Sequence, residues 1–160
     1  MSIEIAKELN ATIQKALPLL NEISETIAAQ KPSFEKWSKK EILGHLIDSA
    51  ANNQQKFVRS MAQSHTDFVG YAQNNWVEAQ AYQVYDWQQL IQNWKAYNAH
   101  IEHIMKHTAA ENLKNTISID GVGPFELGFI MADYVEHLKH HLAQILPSED
   151  WKSKFNDVYH

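Results

Sequence analysis

The sequence predicts an all-α protein built as a four-helix bundle, and three features predict it. Glycine is scarce, with 5 in 160 residues. Apolar residues recur at steps of three and four over four long stretches, the spacing that lines one face of a helix. Chemistry that starts or stops helices falls near the ends of those stretches. A chain of 160 residues reads as a single domain spanning 1–160, long enough to bury about two-thirds of the surface its unfolded form exposes.

The first helix is expected over about 2–29, with Leu9, Ile13, Leu17, Leu20, Ile23 and Ile27 on one stripe. Pro18 lies inside it and should kink it, because the ring clashes with the preceding turn and one ladder bond is lost. The second is expected over about 38–63. Ser38-Lys39-Lys40-Glu41 has the form of a capping box, in which serine and glutamate each satisfy the other's backbone amide. Ile42, Leu43, Leu46, Ile47, Ala50, Phe57 and Met61 form its apolar face. The third, about 86–107, opens on Asp86 as N-cap and buries Leu90, Trp94, Tyr97, Ile101 and Ile104. The fourth, about 124–146, places Pro124 in the first helical position and is stopped by Pro147. Its stripe is Leu127, Met131, Tyr134, Leu138, Leu142 and Ile145.

The connection between helices two and three, "QSHTDFVGYAQNNWVEAQAYQVY", is long for a bundle, and such connections carry function or an element of their own. Within it "NNWVEAQAYQ" suits a short helix. "NTISIDGVGP", before the fourth helix, alternates and then turns at Asp120-Gly121, as a short extended segment does. In the tail, Trp151, Phe155 and Tyr159 are four apart, which suggests a last helical turn or two docking on the bundle or on a second subunit.

Bulk composition narrows the function. With 44% hydrophobic and 21% charged residues the chain has the make-up of a soluble globular protein. A formal charge of −5 argues against nucleic acid as a partner, since phosphate binding needs a concentrated basic face. The absence of cysteine excludes disulfides, thiolate-ligated zinc and a thiolate nucleophile of the protein's own. The N-terminal segment has no basic stretch followed by an apolar core, and no apolar run reaches 18 residues. A cytoplasmic protein without a membrane anchor is the expectation.

Nine histidines carry the remaining signal. "EHLKHHLAQI" puts His137 and His141 four apart, one helical turn above the other on the flank of the buried stripe, while His140 points outward. Two imidazoles at that separation can reach one ion. Asp133, one turn back on the same line, is placed to orient His137 or to add a ligand. His45, in the second helix, lies off the centre of its stripe on a line with Ser49, Asn52 and Lys56, as a rim histidine does. His100, His103 and His107 also have metal spacing, but they sit on the side of the third helix opposite its apolar face. His65 and His160 carry no signal. No glutamate is followed by histidine three residues on, which removes the di-iron class of bundle.

The segments "SKKEILGHLIDSAANNQQKF" and "DYVEHLKHHLAQI" together resemble the DinB/YfiT-like superfamily. The resemblance extends over almost the whole chain, including a tryptophan before "GHLID", a long aromatic second connection and the closing H-x-x-H-H-x-x-Q-I. It implies a bundle of the DinB/YfiT type in which His45, His137 and His141 ligate a divalent metal ion, commonly zinc or nickel. It also implies a homodimer acting on a small-molecule substrate. Some members transfer a low-molecular-weight thiol to electrophiles, and others are described as hydrolases.

Three neutral imidazoles leave such an ion its full charge and an open position. It can then generate hydroxide from water or hold a cosubstrate thiol as thiolate; with no cysteine in the chain, that thiol must come from outside. Hydrolysis wants a base beside the water, and the nearby carboxylates are Glu41, Asp48 and Asp133. Glu41 is expected to be occupied in capping and Asp48 in a surface or inter-helix contact, which tilts the reading toward thiol transfer. Asn52 is a candidate substrate contact, and Tyr71, Trp76, Tyr82 and Tyr85 are candidates to roof the site. A bundle with a purely structural ion, or one that only binds a small molecule, is the competing expectation.

Overall fold

The computed structural model describes residues 1–156. Among them, α1 spans Ser2–Glu22, α2 Glu25–Ala29, α3 Lys39–Met61, α4 Gln73–Ala79, α5 Trp87–Lys106 and α6 Leu127–Ile145; β1 is His65–Phe68, β2 Thr116–Ile119 and β3 Val122–Glu126. Single 3-10 turns lie at Tyr82–Val84 and Asn112–Lys114. Among the described residues no helix is long and apolar enough to cross a membrane.

Helices α1, α3, α5 and α6 form the bundle. α5 packs on α1 and α3, and α6 packs on the same two from the other side. Contacts at the ends fix the directions. Trp87 Nε1 donates to Leu20 O (3.1 Å) and Ser2 Oγ to Thr108 O (3.2 Å), so α1 and α5 are antiparallel. Lys39 bonds Ile145 O at one end of the α3–α6 seam. At the other, Asn115 Nδ2 donates to Ser60 O (2.7 Å) and Leu127 N to Asn115 O (2.8 Å), so these two are antiparallel as well. α3 and α5 instead run parallel, with Ser38 bonded to Gln83 at their starts and Thr108 Oγ1 against Met61 S at their ends. Parallel neighbours need a connection that travels the length of the bundle, which accounts for the long segment between them.

The caps behave as their sequence dictates. Ser38 and Glu41 form the reciprocal capping box (Glu41 N to Ser38 Oγ 3.2 Å, Ser38 N to Glu41 Oε2 2.8 Å), and Asp86 accepts from Gln89 N at 2.9 Å. The core runs through Leu9, Leu20, Leu43, Phe57, Trp94 and Tyr134.

Four expectations change. The protein is mostly helical, but a three-stranded sheet, ordered β1-β2-β3, sits at one end. β1 pairs parallel to β2 and β2 antiparallel to β3, with the turn at Asp120 (φ 50°) and Gly121 (φ 80°). The expected first helix is two: it ends at Glu22, Ile23 is extended, and Ser24 caps α2 by accepting from Ile27 N. A fresh N-cap therefore breaks the chain and Pro18 does not, which leaves Ile27 half exposed. α6 starts at Leu127, because residues 122–126 pair with β2 and Pro124 lies within β3 on the sheet edge, where a missing amide donor is tolerated. Residues 151–156 are not helical. They lie along the bundle, with Trp151 buried under the Lys15 ammonium (4.4 Å) and Ser153 Oγ donating to Glu136 O (2.9 Å). Tyr159 and His160 lie outside the described residues.

Candidate metal centre

The capping box fixes the first turn of α3, and His45 follows one turn later on the side turned to α6. It is fully buried and not at the rim. The Trp37 ring lies against it at 5.1 Å. Its neighbour Gly44 serves the scaffold instead. A Cβ there would come 2.2 Å from ring carbons of Tyr82, so glycine lets that ring lie flat on α3.

On α6, His137 and His141 stack one turn apart with ring centroids 4.5 Å from each other, and 5.2 and 4.7 Å from the His45 ring. His45 Nε2 and His137 Nε2 are 3.3 Å apart. One ligand nitrogen from each of the three lies within 4.8 Å of the others, and among the described residues this is the group of histidine and carboxylate side chains so placed. The fit to a metal can be tested on that distance. Zinc–imidazole bonds of about 2.0–2.1 Å in a tetrahedral arrangement put neighbouring nitrogens roughly 3.3–3.4 Å apart, which is the separation of the first pair.

The second nitrogens have partners that set the rings. His141 Nδ1 is 3.0 Å from Gln144 Oε1, an acceptor, so Nδ1 carries the proton and Nε2 presents its lone pair. The same amide's nitrogen meets His140 Nε2 at 3.2 Å. Burial drives the His141 pKa down to about 4, with Gln144 opposing and His140 assisting. The ring is therefore neutral at physiological pH, the form that ligates. His137 Nδ1 lies 3.4 Å from Ser49 Oγ. These orienting partners, Trp37, Gln144 and Ser49, were not singled out by sequence reasoning, although Gln144 closes the H-x-x-H-H-x-x-Q pattern and Ser49 lies on the His45 line.

The other candidate residues are placed as follows. Asp133 lines a narrow cavity beside His137, together with Lys56, Tyr71 and Asn53. Asn52 turns its amide back to Asp48 O of its own helix (2.9 Å), and its neighbour Asn53 faces the cavity. Asp48 is buried and accepts from Tyr82 Oη and Gln80 Nε2, both at 2.7 Å, so it ties α3 to the long connection. Glu41 is held by its cap and by Lys31 (2.8 Å). Of the four aromatics, Tyr71 reaches the cavity, Tyr82 is buried on α3, Trp76 backs Tyr71 at 4.8 Å, and Tyr85 accepts from Asn93. His100, His103 and His107 are exposed on α5.

The histidines are reached from two sides. The cavity opens on the His137 side and is walled by Phe155 of the tail, whose ring is 5.1 Å from that imidazole. On the His141 side a wider groove runs over Trp37, Ile42, Asn74 and Gln144.

A family model described as the DinB superfamily matches residues 8–145. Among solved structures, YfiT from Bacillus subtilis matches with a TM-score of 0.76 at 18% identity, over 91% of this chain and 82% of that one. It is described as a probable metal-dependent hydrolase with an unusual four-helix bundle topology. No curated protein matches the chain.

Proposed function

The chain belongs to the DinB superfamily, and from that premise we propose that it is a metal-dependent enzyme. His45, His137 and His141 hold one divalent ion, zinc or nickel, at which an external small-molecule thiol is activated for transfer to an electrophile. The donor set carries this reading: three imidazole nitrogens from two helices converge with no carboxylate among them. Neutral donors leave the ion's charge undiminished. A divalent ion supplies Lewis acidity there, lowering the pKa of a thiol or a water molecule toward neutrality.

The protein's own groups serve that chemistry. Gln144 keeps the His141 proton on Nδ1, and Trp37 packs the His45 ring in place. Phe155 and Ile119 give the cavity its apolar wall. Burial, aided by the Asp48 charge, keeps the Tyr71 phenol protonated, so it can donate a hydrogen bond into the cavity. Of the nearby carboxylates, Glu41 and Asp48 are occupied away from the histidines, which weakens hydrolysis by a protein base. Two openings suit a reaction with two organic reactants. A hydrolase reading retains one support, since Asp133 shares the cavity with His137 and the structural relative is described as a probable hydrolase.

The test is turnover by the zinc- and nickel-loaded protein. A panel of thiols with monochlorobimane should show metal-dependent thiol consumption, reduced at least about a hundredfold in His45→Ala. Ester or amide cleavage without thiol use would select the hydrolase reading, and no turnover in either panel would overturn both.

A further inference from the structure

We propose that the cavity beside His137 is a binding site for the headgroup of an amino-acid-like thiol, with Lys56 taking its carboxylate and Asp133 its ammonium. The assignment rests on the thiol-transfer reading and names the class of thiol. The α3 face that carries His45 continues through Ser49, Asn53 and Lys56 at helical steps, so the cavity leads from the histidines along the α3–α6 seam. Lys56 and Asp133 both line it, half-buried. They come from opposite helices and interact electrostatically, the Asp133 charge, with a smaller contribution from Asp120, offsetting part of the desolvation borne by the ammonium.

A cation and an anion in a narrow, partly dry wall cost desolvation that two apolar side chains would avoid, and apolar residues would close the seam at least as well. Opposite charges side by side on one opening complement a zwitterion, and each also disfavours a ligand bearing only its own sign. Asn53 and Gln73 add polar amides to the same walls, Asn53 with its nitrogen turned back to Ser49 O (2.9 Å), and a headgroup with several polar atoms suits such a lining.

The experiment compares three thiols of matched length by calorimetry on the zinc-loaded protein: L-homocysteine, 3-mercaptopropylamine, which lacks the carboxylate, and 4-mercaptobutyrate, which lacks the ammonium. L-homocysteine should bind about tenfold more tightly than either, one charge-assisted contact being lost in each. Lys56→Met should lower L-homocysteine affinity about tenfold and raise that of 3-mercaptopropylamine, whose ammonium no longer meets a like charge. Asp133→Asn should likewise lower L-homocysteine affinity and raise that of 4-mercaptobutyrate. Equal affinities for the three thiols in the unaltered protein would overturn the assignment while leaving the metal reading standing, and that comparison requires no variant to fold. A protein that takes up neither zinc nor nickel would overturn the metal reading and this assignment with it.

Discussion

Asp48 shows how one residue can stand beside a site and serve the scaffold. Burial pushes its carboxyl above the ordinary value near 3.8, and the bonds from Tyr82 and Gln80 recover only part of that cost. A carboxyl whose folded pKa is raised bears its penalty in the ionised form. The penalty is therefore absent below about pH 4 and grows as pH rises through the folded value. Both hydrogen bonds go to Oδ1, and an asparagine keeps that acceptor. Asp48→Asn is expected to match the unaltered protein near pH 4, to gain on it as pH rises to the raised folded value, and to hold that advantage from there to neutral pH and above. Asp48→Ala is expected to be less stable by about 1 kcal/mol, because two hydrogen bonds to a buried acceptor are lost while Tyr82 Oη keeps Gln80 Oε1 (3.0 Å) as a partner. Denaturant melts across that range check both, and a gap for Asp48→Asn that never opens, or that shrinks with pH, would show that the ionised carboxylate is welcome where it lies.

Among the elements, α3 holds the most consequential local instruction. Ser38 caps the helix and also bonds Gln83 Oε1 at 2.6 Å, so its hydroxyl joins the start of α3 to the long connection. Ser38→Ala is expected to cost about 1 kcal/mol for the cap, lowering the melting temperature by about 2–4 °C. Ser38→Asn, which can cap, should recover most of it; an alanine variant that melts with the unaltered protein would deny the cap its role. Such local chemistry made α3, α5 and most of α6 legible in the sequence. Non-local pairing was not: "HTDF" is polar and becomes a strand only because β2, from a distant part of the chain, offers it a parallel edge. The site was legible in part for a related reason. A helical wheel finds one apolar stripe, yet α3 is covered on several sides, by α5, by α6 and by the long connection. Its other buried faces are polar, through His45, Asp48 and Ser49, and hydrophobic periodicity passes over them. His45 therefore reads as a rim residue until α6 and Trp37 are laid against it, and Gln144 gains meaning only beside the paired rings of His140 and His141.

For the whole molecule, the arrangement of the bundle converts ion binding into fold stability. The three imidazoles come from antiparallel helices joined through α5 and the sheet, so the unfolded chain has no comparable cluster and an ion bound there stabilises the native state by mass action. At free zinc about a hundred times the dissociation constant, the gain is about 2.7 kcal/mol. For a chain of this size, that corresponds to a rise in melting temperature of roughly 5–10 °C. The rise should grow with the logarithm of free zinc, vanish with EDTA and be lost in His45→Ala. It should persist in His103→Ala, since the exposed histidines of α5 share no ion across two helices. Calorimetric melts at several buffered zinc concentrations measure it. A zinc-dependent rise that survives His45→Ala but disappears with His103→Ala would move the ion to the α5 surface and leave the α3–α6 cluster as packing alone.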